Sequence, residues 1–371
     1  MIFKHGASKK SNRKLTTSEI DAFGAELDQL RHRTVATLGE RDATYIRRIR
    51  TSVRVTELAG RLMLFAGFFP PTFILGVLLL GVSKIIDNME LGHNVMHGQF
   101  DFMNEPEFCG KTFEWNHACP ADFWRITHNY EHHTYTNILG KDKDLGYGLV
   151  RLFPEQRWNP GFLLQPLYAL LLALLFQYGV AIQHLKMNRL FNGKMSKAEF
   201  GERFQPFWQK LRHASVRDYL IFPLLAGPHF VAVLCGNILA NLIRNLWTWV
   251  IIFCGHFTKD AEVFPQSVLE NETRGHWYLR QLRGSSNLKG SKLFHIMSGN
   301  LSHQIEHHLY PDIPANRYAE MSVEVRQICA KYGQHYNTGR FSVQFAQVLW
   351  RIFRYAFPNW SKQHPGRAQA A

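Results

Sequence analysis

The residues best suited to carry out chemistry are histidines, and they cluster in three groups along the chain. The groups read HNVMH at residues 93–97, HNYEHH at residues 128–133 and HQIEHH at residues 303–308. Neutral imidazole is the commonest metal ligand among the side chains. Because the groups contain more imidazoles than one tetrahedral ion needs, they predict a centre with two metal ions.

The spacing within each group indicates how the imidazoles are shared between the ions. On an α-helix, residues four apart lie on one face, and the next residue is rotated by about 100°. His303 and His307 are therefore predicted to share one metal ion, while His308 reaches the second. The same arithmetic applies to residues 128–133, and residues 93–97 supply one further pair.

Polar side chains near the groups are suited to orient the imidazole rings. A ligating histidine usually passes its second N–H to a carboxylate or an amide, which fixes the tautomer. Six side chains are candidates for this role: Asn129, Glu131, Asp142, Asp144, Asn300 and Glu306. Asp142 and Asp144 fit a simple polar turn equally well. Three further histidines are predicted to be structural: His117, His276 and His295.

The sequence contains no flavin or nicotinamide fingerprint of the GxGxxG kind.

Three long stretches without charged residues must position these groups. They are residues 62–83, 158–185 and 219–243. About 20 apolar residues in a helix cross a bilayer core, which is about 30 Å thick. The chain is therefore predicted to be a multi-pass membrane protein with histidine-bearing polar loops. A plausible cap at Thr16 predicts, in addition, a solvated or membrane-surface helix that runs to about Arg50.

The order of the membrane crossings follows from two turns. Pro70 and Pro71 break the first stretch and predict a tight helical hairpin. Residues 158–185 are expected to enter the membrane without crossing it, and a second hairpin is expected to turn at residues 235–237 and to end at His256. The alternative makes residues 158–185 a full span. Arg244 fits poorly in the return helix unless it is paired or faces a cavity.

The distribution of charge predicts the orientation. The net charge is +14, with 13 Lys or Arg against 7 Asp or Glu in residues 1–61 and 8 against 2 in residues 186–217. Positive residues favour the cytoplasmic side of a membrane, so the histidines are predicted to face the cytoplasm. No nucleic-acid-binding motif accompanies the charge, and nucleic acid is not expected as a partner.

The histidine pattern resembles that of the membrane fatty-acid desaturase family, which reads HxxxH, then HxxHH or HxxxHH, then (H/Q)xxHH. The order and separation are similar here, and the resemblance covers about residues 55–325. The third group with its flank, QIEHHLYP at residues 304–311, is especially similar to the branch that contains front-end and related bacterial acyl desaturases.

The resemblance implies an all-α integral membrane fold, in which a four-helix transmembrane anchor carries a cytosolic helical cap with a histidine-ligated di-iron centre. It divides the chain into a basic, amphipathic cytosolic segment (1–50), the membrane desaturase domain (51–325) and a cytosolic C-terminal helix and tail (326–371). The implied ligands are His93, His97, His128, His132, His133, His256, His307 and His308. The ninth ligand falls on Gln304 by family pattern and on His303 by ligand chemistry.

The implied function is the O2-dependent introduction of a cis double bond into a long-chain acyl substrate, with carbon nine of a saturated chain favoured. The carrier is coenzyme A, a phospholipid or acyl carrier protein. A ferredoxin, a rubredoxin or a flavin reductase is the expected electron donor, and a bacterial cytoplasmic membrane is the expected location. Two alternatives stay open: a di-iron hydroxylase of lipids, alkanes or carotenoids, and a histidine-rich metal-binding membrane protein.

Overall fold

The fold is known from a computed structural model, which describes residues 12–67 and 69–359. Residues 1–11 and 360–371, at the outer ends of the two predicted terminal segments, lie outside this description. The boundaries at residues 50 and 325 stay predictions. The helices are α1 (Thr17–Val35), α2 (Glu40–Phe65), α3 (Pro70–Ile86), α4 (His93–Met96), α5 (Ala121–Trp124), α6 (His133–Tyr135), α7 (Gln165–Leu174), α8 (Phe176–His184), α9 (Met187–Phe191), α10 (Lys197–Val216), α11 (Phe222–Leu225), α12 (Phe230–His256), α13 (Arg274–Gly284), α14 (Lys292–Met297), α15 (Gln304–Leu309), α16 (Tyr318–Lys331) and α17 (Phe341–Arg354).

Two features depart from a purely α-helical fold. Strands β1 (Asn287–Lys289) and β2 (Thr338–Arg340) form a short parallel pair, with Leu288 opposite Gly339. The prediction of an all-α fold was therefore wrong in this detail. Three π-helical segments also interrupt the α-helices, at Asp87–Gly92, Arg125–His132 and Arg217–Ile221. π-Segments are frequently found at functional sites, and two of these adjoin or contain predicted ligands.

The predicted first hairpin is confirmed. Helix α2 ends at Phe65, and α3 begins with Pro70 and Pro71 in its first turn, where proline costs no backbone hydrogen bond. The two helices pack closely because Gly60 faces the α3 backbone. A Cβ atom at Gly60 would lie 2.7 Å from the amide nitrogen of Leu80, so any larger residue would push the helices apart.

The second hairpin exists, but its predicted turn at residues 235–237 was wrong. Helix α12 is continuous from Phe230 to His256, and the turn lies at Gly227–His229. Gly236 serves helix packing instead, because a Cβ atom there would lie 2.5 Å from the Leu64 side chain. Asn237 donates a hydrogen bond to the backbone oxygen of Asp218 (2.6 Å). The predicted end of the helix at His256 is confirmed.

Among the described residues, two continuous helical stretches are long and apolar enough to cross a membrane: residues 70–96 and 227–256. A third candidate consists of two helical parts, residues 160–174 and 176–184, which meet at an angle of 99°. Apolar side chains on these helices are exposed, including Ile74, Leu78 and Val231. The described part of the chain therefore contains two to three candidate membrane helices.

The first helix belongs to the cap that covers the histidines. Thr16 and Glu19 form the predicted capping box, but the helix ends at Val35 and a new one begins at Glu40. Phe23 and Leu27 are buried against a cluster that includes Tyr278 and Tyr310. The prediction of one solvated or membrane-surface helix to Arg50 was therefore wrong, because its apolar face packs on helices α13 and α16.

Candidate metal centre

Four separate parts of the chain bring the predicted ligands together at the cap end of the long helices. His93 follows the first π-segment and opens α4, while His256 is the last residue of α12. The second π-segment contains His128 and His132. His307 and His308 are adjacent on α15. Each ligand therefore lies on a helix or at a helix end, which fixes its backbone.

The first group of converging side chains consists of His93, His97, His128 and His307. One ring nitrogen of each lies within 4.8 Å of the others. The Nε2 atoms of His93 and His307 are 3.3 Å apart. This group therefore has the spacing that one metal ion requires, with imidazoles from all three sequence groups.

The second group consists of His132, His256 and His308, whose ligand atoms also lie within 4.8 Å of one another. The Nε2 atoms of His256 and His308 are 3.0 Å apart. His133 lies between the two groups, with its ring centroid 4.7 Å from that of His97 and 4.4 Å from that of His308. The structure thus forms two neighbouring candidate metal positions.

The two candidates for the ninth position lie in different places. His303 ends a 3-10 segment, and α15 begins only at Gln304, so His303 does not share a helical face with His307. Its ring packs on His295, with centroids 4.6 Å apart. The amide nitrogen of Gln304 is 2.9 Å from Nε2 of His256. The structure brings Gln304, and not His303, to the second group.

Hydrogen bonds at Nδ1 orient the imidazole rings. Nδ1 of His132 lies 3.1 Å from both oxygens of Asp142, and Nδ1 of His128 lies 3.2 Å from Asp144. Nδ1 of His308 meets the side-chain oxygen of Gln281 at 3.0 Å. These acceptors place the proton on Nδ1 and leave the Nε2 lone pair free for a metal.

Two further contacts at Nδ1 come from residues that the sequence did not indicate. The backbone oxygen of Gly284 lies 3.2 Å from Nδ1 of His256, and the Tyr318 hydroxyl lies 3.4 Å from Nδ1 of His307. Gln281, Gly284 and Tyr318 have no motif around them. Only the fold brings them to the histidines, so sequence reasoning had no signal for them.

The other candidate orienting side chains bind elsewhere. Asn129 donates to the backbone oxygen of Met96, and Glu131 accepts from Lys186. Asn300 donates to Glu90, while Glu306 accepts from Asn287 and Tyr336. Of the six predicted side chains, Asp142 and Asp144 are the ones whose oxygens meet ring nitrogens in these two groups. The histidines expected to be structural, His117, His276 and His295, belong to neither group.

The electrostatics favour neutral imidazoles at the centre. Burial, followed by the neighbouring histidines, lowers the pKa of His97, His133, His307 and His308 well below the usual 6.5. Burial also lowers the pKa of His132, but nearby Asp142 outweighs it and the pKa is raised overall. Neutral imidazole is the form that binds metal.

The donor set fits metal ions. Lone pairs that face each other at 3.0–3.3 Å repel unless a proton or a cation lies between them. Several buried polar atoms also have no hydrogen-bond partner: Nε2 of His97 and of His128, both ring nitrogens of His133, and Oε1 of Gln304. Buried polar atoms without partners are rare in proteins. A metal ion at each position would satisfy the Nε2 atoms of His97 and His128, one nitrogen of His133 and the oxygen of Gln304.

A largely apolar cavity adjoins the first group. It is lined by His93 and His128 on one side and by aromatic and aliphatic side chains on the other, among them Trp124, Tyr147, Phe176, Val180 and Ile252. We call it the substrate cavity. Candidate membrane helices, two candidate metal positions built of histidines and an adjoining, largely apolar cavity are the features of a membrane metalloenzyme class.

Comparison with known proteins identifies the family. The family model described as fatty acid desaturase matches residues 69–340. An NADPH-dependent stearoyl-CoA 9-desaturase of Mycobacterium tuberculosis is 45% identical over 349 residues, which cover 93% of this chain and 82% of that protein. The chain belongs to the fatty acid desaturase family, and it is an acyl desaturase, an oxidoreductase.

More distant relatives are also desaturases by name. An sn-1 linoleoyl-lipid 6-desaturase of Synechocystis is 26% identical over 345 residues, which cover 88% of this chain and 90% of that protein. Human fatty acid desaturase 3 is 26% identical over 260 residues, covering 63% of this chain and 53% of that protein. The predicted membership of the family and the predicted function as an acyl desaturase are confirmed.

Proposed function

We propose that this desaturase uses two iron ions and O2 to introduce a cis double bond at carbon nine of a long saturated acyl chain. The observation that carries the proposal is the convergence of unprotonated histidine nitrogens in two adjacent groups beside an apolar cavity. The relative that is 45% identical is a stearoyl-CoA 9-desaturase by name, which supports the stearoyl chain and carbon nine.

The ligands divide between the two ions. His93, His97, His128 and His307 would hold one iron, and His132, His256 and His308 would hold the other. His133 lies between the two, and Gln304 completes the set beside His256. When bound, the irons and O2 supply the oxidising power that removes two hydrogen atoms from adjacent methylenes.

The remaining residues of the site bind and orient. The apolar wall of the substrate cavity holds the acyl chain beside His93 and His128. Asp142 and Asp144 hold the protons of His132 and His128 on Nδ1. Asp142 is itself fixed by the backbone amides of Asn137 and Asp144, at 2.7 and 2.9 Å. His93, His132, His133, His256, His307 and His308 are buried, which limits the access of water to the reaction.

The membrane arrangement that we propose is a four-helix anchor. It consists of the C-terminal part of α2 paired with α3, and of the end of α10 with α11 paired with α12, while the bent pair α7–α8 enters the membrane without crossing it. The excess of basic residues that precedes each of these hairpins favours the cytoplasmic side for the cap. A bacterial cytoplasmic membrane is the proposed location.

The electrons come from a separate protein in this proposal. The relative from Mycobacterium tuberculosis is named as NADPH-dependent, yet the present sequence has no nucleotide-binding fingerprint. A flavin reductase that oxidises NADPH, working directly or through a ferredoxin or a rubredoxin, supplies this need. The basic cytosolic face is suited to attract acidic redox partners.

Expression in a host with a compatible donor tests the proposal, with gas chromatography and mass spectrometry of total fatty acids. We expect a new C18 acid with its double bond at carbon nine, absent from the His132→Ala variant. A different bond position would overturn the assignment of carbon nine. A hydroxylated product in place of the alkene would contradict desaturation and favour the hydroxylase alternative.

A further inference from the structure

Helix α17, near the C-terminal end of the described chain, has an exposed apolar face. Val343, Trp350 and Phe353 are 48–58% exposed, and their spacings of seven and three residues put them on one face of the helix. Phe357, just after the end of the helix, is 53% exposed. We call these four residues the apolar stripe. A contiguous exposed apolar surface marks a site of interaction with a protein or a membrane.

The opposite face of α17 is fixed in the protein core. Val348 and Ile352 are buried in the cluster that also contains Phe176, a residue of the substrate-cavity wall. The Arg351 guanidinium donates to the backbone oxygen of Leu152 at 3.1 Å. Because this face is packed, the helix cannot turn the apolar stripe towards the protein without losing these contacts.

The helix lies beside the cap-side end of α12. The ring centroids of Phe341 and Trp247 are 6.2 Å apart, and the backbone amide of Lys259 donates to the side chain of Gln347 at 2.9 Å. Trp247 follows the start of α12 at Phe230 by about 25 Å, at a rise of about 1.5 Å per residue. A bilayer core is about 30 Å thick, so α17 lies near the cap-side boundary of the membrane.

A candidate membrane segment is in direct contact with α17. The side chain of Gln165, the first residue of α7, donates to the backbone oxygen of Ile352 at 2.5 Å. The indole N–H of Trp158 donates to the backbone oxygen of Ala356 at 2.8 Å. Helix α7 belongs to the bent third membrane candidate and exposes several leucines of its own. The exposed apolar surface of this candidate therefore continues onto α17.

Length and composition favour a position of α17 in the plane of the membrane. The helix has 14 residues and is about 21 Å long, which is too short to cross a bilayer core of about 30 Å. Its charged residues are Arg351 and Arg354, and it contains no Asp or Glu. Trp350 and Tyr355, with ring centroids 6.1 Å apart, are of the types enriched at membrane interfaces. Amphipathic helices with basic residues on the polar face and Trp or Phe on the other lie in the interface.

We propose that α17 lies in the cap-side interface of the bilayer, with the apolar stripe among the upper parts of the lipid acyl chains. The partner of this surface is the membrane lipid itself, and the arginines of the helix favour anionic head groups. This placement differs from the predicted cytosolic position of the C-terminal helix. Because α17 packs on the wall of the substrate cavity, lipid contact also holds that wall at the membrane surface. The inference rests on the proposed membrane arrangement and extends it beyond the four-helix anchor.

Quenching of a fluorescent label by spin-labelled phospholipids tests this placement. The full-length protein, with Cys109→Ser and Cys235→Ser so that the other cysteines are buried, is labelled at Phe353→Cys in lipid nanodiscs. The phospholipids carry the spin label either near the head group or near the end of the acyl chain. Val323→Cys on α16 of the cap is the matched control, because Val323 is 57% exposed and Phe353 is 58% exposed. Leu78→Cys on α3, about 12 Å from the start of that helix, marks the middle of the bilayer.

We expect the shallow spin label to quench Phe353→Cys more strongly than the deep one, because an in-plane helix inserts about 5–10 Å into the boundary of head groups and acyl chains. Leu78→Cys should show the reverse order, and Val323→Cys should keep its fluorescence.

Quenching of Leu78→Cys without quenching of Phe353→Cys would refute the placement of α17 and leave the membrane arrangement intact. A stripe covered by a second copy of the chain or by residues 360–371 would give that result. Equal quenching of Phe353→Cys and Val323→Cys would also overturn the proposal. Loss of quenching at both Phe353→Cys and Leu78→Cys would refute the membrane arrangement and the inference together. None of these readouts depends on turnover, so they are independent of the proposed reaction.

Discussion

Two buried polar regions of this molecule differ in how far their polar groups satisfy one another. At the histidine centre, ring nitrogens face one another at 3.0–3.3 Å, and several buried ligand atoms have no hydrogen-bond partner. Around Asp218, in contrast, Lys84 and Arg217 pair with the carboxylate at 2.8 and 2.9 Å. The first region therefore suits metal ions, whereas the second is a network of ion pairs.

Removing a histidine of the centre should have the largest effect. Loss of an outer partner of a metal ligand typically costs about 10–100-fold, so loss of the ligand itself should cost more than about 100-fold. We expect His132→Ala to lose bound iron and activity to this extent. His276→Ala is the matched control because His276 bonds to Thr273 away from both groups. Equal iron content in the two variants would contradict the assignment.

The histidine centre should also make the stability of the fold sensitive to acid. Burial lowers the pKa of His97, His133, His307 and His308 below 6.5. The folded chain then binds fewer protons than the unfolded chain, so stability is lost as the pH falls through about 6.5. We expect the melting temperature of metal-free protein to fall between pH 7.5 and pH 5.5. An unchanged or higher value at pH 5.5 would contradict neutral, buried imidazoles.

Changing the carboxylate of Asp218 should destabilise the fold. Asp218→Asn leaves Lys84 and Arg217 without their shared counter-charge, and breaking a buried pair costs about 3–5 kcal/mol. We expect a lower melting temperature for this variant and an unchanged one for Arg48→Gln, which removes an exposed charge. Equal melting temperatures in the two variants would contradict the ion pairs.

The carboxylate beside His132 should have an intermediate effect on the centre. Asp142→Asn keeps the shape of the side chain but removes the charge that faces Nδ1. We expect a loss of about 10–100-fold in iron affinity. Titration of metal-free protein with ferrous iron measures it, and Asp122→Asn, an exposed change, is the control. An affinity equal to that of the control would assign Asp142 to the turn alone.

The ninth position should give the smallest and most selective change. Gln304 adjoins His256, whereas His303 packs on His295. Gln304→Ala should therefore lower the iron content, and His303→Ala should leave it near that of the wild type. The reverse pattern, measured as iron per chain in the purified variants, would return the position to His303.

The contrast between these two neighbours shows what sequence patterns can and cannot predict. The spacing of the histidines predicted the pairing of His307 and His308 with different groups, because both lie on one short helix. It also paired His303 with His307, which the structure separates because the helix begins one residue later. The predicted pairing of His128 with His132 is not the division into the two groups, since these histidines lie in a π-segment and fall in different groups. Gly236 and Asn237 were taken for a turn since both residues favour turns, although here they allow close helix packing.

Orientation of the rings was predicted only in part. Asp142 and Asp144 follow the second histidine group closely, so proximity in sequence suggested their role. Gln281 and Tyr318 approach His308 and His307 from other helices, and no local pattern encodes that approach. Arg244 was expected to fit a membrane helix only if it were paired or faced a cavity. In the structure it is buried and lines a small cavity that Asp218 also lines.

The iron content of the purified full-length protein, measured by mass spectrometry of the metal, tests the central claim most directly. The account predicts two iron ions per chain in the wild type and fewer in His132→Ala. One ion per chain in the wild type would contradict the division into two metal positions, and none after loading with ferrous iron would refute the centre itself.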